Sequence, residues 1–79
     1  MNLKIVSPQA IEEHEVVWIE IFTPDGNFVI QKHYAPTTFL LVAGKEFIYR
    51  HRTGKQESTL LEQGGILQIT RKEARLVVN

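Results

Sequence analysis

The chain has 79 residues, 43% of them apolar, with nine Lys and Arg against nine Asp and Glu and no cysteine. That length makes a single domain burying only about 60–65% of the surface its unfolded form exposes. Zero net charge and the lack of a basic stripe argue against nucleic acid as a partner, and the absence of cysteine excludes disulfides and thiolate metal sites.

The opening MNLKIVSP carries no apolar run like a signal peptide, and no stretch nears the roughly 18 apolar residues that span a bilayer, so the expectation is a soluble, intracellular chain. Leu3 and Ile5 share one face of a first strand near 2–6. Ser7 to His14 starts like a helix, with a capping serine, proline at the first helical position and acidic residues behind it. Val16, Val17 and Ile19 follow at once, and β-branched residues favour extension, so a loop or one frayed turn is expected there. The next strand, near 15–22, sets Val17, Ile19 and Ile21 on one face against Trp18, Glu20 and Phe22.

Further strands are expected near 27–31, 38–43, 46–52, 56–62, 65–70 and 73–78. Between them stand turn signals at Pro24-Asp25-Gly26, Ala43-Gly44-Lys45, Thr53-Gly54-Lys55, Gln63-Gly64-Gly65 and Thr70-Arg71-Lys72. This rhythm belongs to a sandwich or barrel, and the fold expected is an all-β, small antiparallel β-sandwich of about 8–10 short strands in one domain, residues 1–79. Gly64-Gly65 precedes a strand, where paired glycines mark a bulge or a close backbone approach rather than a phosphate loop.

Catalytic chemistry finds little support. The serines are Ser7 and Ser58, and the one aspartate, Asp25, is explained by a Pro-Asp-Gly turn in which its side chain bonds its own backbone. His14, His33 and His51 show no short ligand spacing, and cations flank His33 and His51, so polar-rim histidines are the plainer reading and no metal or cofactor is expected. Phe47-Ile48-Tyr49-Arg50-His51-Arg52 has the look of a base-stacking platform, but one strand with two arginines is more simply a solvated face.

Four segments, LKIVSPQ, EVVWIEIFTPDGNF, KHYAPTTFLLVAG and GGILQITRKEARLVV, together resemble in order and spacing the N-terminal β-sandwich domain of the epsilon subunit of F-type ATP synthases. The resemblance covers essentially the whole chain. It implies a non-catalytic central-stalk subunit of a rotary proton- or sodium-translocating synthase, coupling the gamma subunit to the membrane c-ring at the cytoplasmic face of a bacterial inner membrane. By that resemblance Asp25, Gly26, Asn27, Phe28 and Tyr34 face the c-ring, while Ser7 and Phe39 face gamma. Two departures stand out. His33 replaces a family glycine, which predicts a turn that either differs from the family's or is strained. The family's helical hairpin, a brake on ATP hydrolysis in several bacteria, does not follow Asn79, so inhibition is not carried over. The competing reading is a free-standing sandwich module that binds a peptide or small ligand on a face carrying Trp18, Tyr34 and Tyr49.

Overall fold

A computed structural model describes residues Met1–Asn79 and contains eight strands and no helix. In chain order they are β1 (Asn2–Val6), β2 (Ile11–Thr23), β3 (Gly26–Gln31), β4 (Thr37–Leu41), β5 (Lys45–His51), β6 (Gln56–Leu61), β7 (Gly65–Ile69) and β8 (Glu73–Val78). Every strand expected from the alternation is present, and each expected turn signal falls at the junction of two of them, three of the signals ending on the first residue of the next strand.

The sheet runs β4-β7-β8-β1-β2-β5-β6, with β3 added on β2, and curls into two layers. Strand β2 belongs to both. Its first half, Ile11 to Glu15, pairs β1, while its second half pairs β3 and β5. The changeover is a register shift between Val16 and Trp18, the kind of bulge that turns a strand from one layer into the next. The bulge also reverses one expectation. Val16 enters the core and Val17 is 48% exposed, because one extra residue shifts the alternation by one.

A second difference concerns residues 11–14. They are strand rather than loop: Val6↔Ile11 to Leu3↔His14 form a hairpin with β1. Ser7 closes it, its Oγ accepting from the Ala10 N–H at 3.2 Å while its own N–H donates to the Ala10 carbonyl at 2.9 Å. The serine therefore caps a turn, and the acidic residues behind it satisfy their backbone across the ladder instead of along a helix. A third difference is direction. All pairings are antiparallel except β1–β8, which is parallel from Asn2↔Glu73 to Val6↔Val77.

The core lies between the layers. Leu3, Ile5, Leu67, Ile69, Ala74 and Leu76 come from one, and Ile19, Ile21, Ile30, Phe47, Tyr49 and Leu61 from the other, all buried. The Tyr49 hydroxyl is the one polar side-chain group among the buried residues. The glycine pair confirms the expected close approach. A Cβ on Gly64, which has φ +72°, would lie 2.5 Å from the Leu41 carbonyl oxygen, and one on Gly65 would lie 2.7 Å from that of Val77.

Candidate functional site

Three surface features are candidates: an outer face, an aromatic cluster, and a cluster of titratable side chains.

The outer face follows from register. Leu40 pairs Ile66, Ile66 pairs Val77, Val77 pairs Val6, and Val6 pairs Ile11. Inward residues alternate with these along each strand, so five apolar side chains form one row across β4, β7, β8, β1 and β2 on the side away from the core. Leu40 is 66% exposed, Ile11 64%, and Ile66 and Val77 39% each. Two residues along, the row Thr38–Gln68–Arg75–Lys4–Glu13 is polar. The second layer has no matching row; there the paired outer residues Gln31, Trp18, Arg50 and Gln56 are mostly polar. A contiguous exposed apolar row is unusual enough in a small domain to mark a contact surface. The sequence contained its signal, since Leu40, Ile66 and Val77 occupy the phase opposite to the core residues, but pairing order was needed to join them.

The aromatic cluster gathers residues scattered in the chain. The Phe28 ring lies 5.2 Å from Phe39, and Tyr34 lies 6.1 Å from Phe39. All three are half-buried against the core. Phe39 therefore turns inward, and its neighbour Leu40 is the residue that reaches the outer row. Asp25, Gly26 and Asn27 form an exposed tip beyond Phe28. That turn is held by Thr23 rather than Asp25: Thr23 Oγ1 accepts from the Asp25 N–H at 3.1 Å and donates to the Gly26 carbonyl at 3.0 Å. Ser7 sits in the hairpin turn that joins Val6 to Ile11, at the end of the apolar row.

Tyr34 also lines an open cleft of about 450 Å³ with Lys32, His33, Ile69, Arg71 and Lys72. The preceding turn is closed by the Tyr34 N–H donating to the Gln31 carbonyl at 3.1 Å, and its third residue, His33, has φ +72°. The strain expected from histidine in a glycine position is present.

The ligand face imagined from Trp18, Tyr34 and Tyr49 does not form. Tyr49 pairs Ile19 and is buried, whereas Trp18, one residue earlier, points to the opposite side. The base-stacking platform fails for the same reason, because Phe47 and Tyr49 face the core.

The third cluster was not found from spacing. Tyr49 and His51 continue the inner phase of β5, Glu57 pairs Tyr49 from β6, and His14 lies on the inner phase of β2. The His14 ring is 5.1 Å from His51 and 5.3 Å from Tyr49. Each histidine holds a carboxylate: His14 Nε2 lies 3.1 Å from Glu12 Oε1, and His51 Nε2 is hydrogen-bonded to Glu57. The bond with His51 holds the Glu57 carboxyl below its usual range, helped by Tyr49 and by the charges of His51 and Lys55, and opposed by desolvation. Burial, then the charge of Glu57 and a hydrogen bond to it, then the charge of Glu12, push the Tyr49 phenol up to about 12. The arginines flanking His51 in sequence do not crowd this cluster by alternation, since Arg50 occupies the outer phase and is exposed.

No family model and no curated protein matches the chain in sequence. Among solved structures, it is similar to a chain in the cryo-EM structure of Euglena gracilis mitochondrial ATP synthase, OSCP/F1/c-ring in rotational state 1. The TM-score is 0.79 at 18% identity, over 96% of this chain and 48% of that one. The likeness establishes the architecture, and the present chain spans about half the length of its counterpart.

Proposed function

We propose that this domain is a non-catalytic, epsilon-like element of the central stalk of a rotary ATP synthase, docking on the gamma subunit and transmitting its rotation to the c-ring. The observation that carries the reading is the exposed apolar row Leu40–Ile66–Val77–Val6–Ile11, which is suited to a protein partner. The fold likeness to a chain of an ATP synthase supports it, as do the four sequence segments in family order.

On this reading gamma lies against the row, with Ser7 at its end and Leu40 rather than Phe39 making the contact from β4. The tip Asp25-Gly26-Asn27 faces the c-ring, backed by Phe28 and Tyr34, whose packing through Phe39 ties that tip to the core. A close-packed two-layer body suits torque transmission, because interiors at crystal-like density deform little under load. The domain would sit peripherally on the cytoplasmic face of a bacterial inner membrane.

Calorimetric titration against the purified gamma subunit of the same synthase tests this. A one-to-one complex is expected, with Ile66→Lys lowering the affinity by about 30-fold or more, a loss of about 2 kcal/mol as at an interface hot spot. Val29→Lys, on an exposed residue of the other layer, should bind as the unmodified chain does. Absence of a complex, or equal losses from both substitutions, would sink the proposal.

A further inference from the structure

The cluster at the inner edge of β2, β5 and β6 has a composition that ion pairing alone does not require. His14, His51 and Glu57 each present one ligand atom, and these atoms lie within 4.8 Å of one another. All three side chains are half-buried. Glu12, more exposed, stands against the His14 Nε2 from the same strand.

We infer that His14, His51 and Glu57, with Glu12 as a fourth ligand, bind one divalent transition-metal cation of the zinc class. Two imidazoles and a carboxylate form the donor set that suits zinc, cobalt, nickel and copper, whereas magnesium and calcium favour oxygen-only sites. Two carboxylates offset the charge of the dication. Bonds of about 2.1 Å in tetrahedral geometry place ligand atoms roughly 3.4 Å apart, so the cluster must contract. The Glu57 side chain, 36% exposed, and that of Glu12, 56% exposed, have room to rotate. In the metal-free state each Nε2 is paired with a carboxylate oxygen. The cation replaces those two pairings. A carboxylate only accepts, so each Nε2 carries the proton beforehand; on binding that proton leaves Nε2, moving to Nδ1 in a neutral ring or to solvent from a doubly protonated one, and the freed Nε2 lone pair goes to the metal. Tyr49 is the cross-strand partner of Glu57 and lies beside it on the same face.

The consequence is mechanical. The metal ties the β1–β2 hairpin to the β5–β6 hairpin at the bulge where β2 changes layers, in a chain that has no cysteine for a disulfide.

The test is titration of the chelator-stripped full chain with Co²⁺, read by its visible absorption, and with Zn²⁺, read by calorimetry. One ion per chain is expected, with an intense low-symmetry cobalt band. His14→Gln and His51→Gln should each lower the affinity by more than about 100-fold, exceeding the 10–100-fold typical of outer-shell changes, and His33→Gln should leave it unchanged. If either ligand variant loses its native circular dichroism, the unmodified chain decides: zinc should shift the Nε2 resonances of His14 and His51 and not those of His33. No binding by the unmodified chain, or zinc-induced shifts confined to His33, would overturn the inference.

Discussion

Two clusters of three rings border the core, one of them completed by Tyr34 from the β3–β4 connection, and they hold the fold by different means. In one, Phe28, Phe39 and Tyr34 pack apolar area with ring centroids 5.2 and 6.1 Å apart. In the other, Tyr49, His14 and His51 pack at 5.1 to 5.3 Å but carry Glu12 and Glu57 among them. The first gains its stability from removing surface from water, which pH and metal ions barely touch. The second depends on protons and charge, so its strength changes with conditions. A small domain without disulfides thus keeps one of its aromatic clusters indifferent to its surroundings and the other responsive to them.

The largest expected effect breaks the first cluster. Phe39→Ala should cost about 2–3 kcal/mol of unfolding free energy, below the range of fully buried phenylalanines because Phe39 is only half-buried. Urea denaturation should give a similar loss at neutral and at alkaline pH, with gamma binding by the folded variant retained. A loss of binding without a loss of stability would move Phe39 from packing to contact.

The second cluster is sharpened by pH. Folding raises the Tyr49 phenol from an ordinary value of 10.0 to about 12, so the folded state favours the neutral ring. The stability this contributes is fully present below pH 10 and is lost as pH rises through about 12. In chelator-treated protein, denaturation midpoints should fall more between about pH 9 and 11.5 for the unmodified chain than for Tyr49→Phe, which has no proton to lose. Parallel declines would mean that the phenol is not linked to folding.

The smallest effect concerns the turn beside the first cluster. His33→Gly relieves a left-handed residue but gives the unfolded chain more freedom, and the two oppose each other. The net expectation is a stabilisation of up to about 1 kcal/mol, readable as a small rise in melting temperature. A clear destabilisation would show that the histidine side chain contributes a contact in the cleft worth more than the strain it carries.

Much of the fold was legible residue by residue. Leu3 and Ile5 flank Lys4, Leu67 and Ile69 flank Gln68, and all four apolar residues sit in the core. Gly64 and Gly65 announced a close approach because only glycine lacks the atom that would collide. The candidate sites were less legible. Alternation puts Val17 on one face with Ile19 and Ile21, yet Val16 is the residue that joins them in the core, since a bulge leaves no mark on periodicity until the partner strand is known. Ile11 to His14 read as a loop because their acidic residues match a helix start as well as a hairpin, and pairing with β1 settled the matter.

The sequence by itself determined the number of strands, the turns between them and the alternation that fills the core, because these depend on side-chain phase and on glycine, properties local to a few residues. The tertiary structure alone decided which outward residues became a continuous apolar row, and which of the three histidines met. Those outcomes require strands distant in the chain to lie side by side. His14, His51 and Glu57 share no local spacing, and they come together only because β2 crosses between layers beside the β5–β6 hairpin.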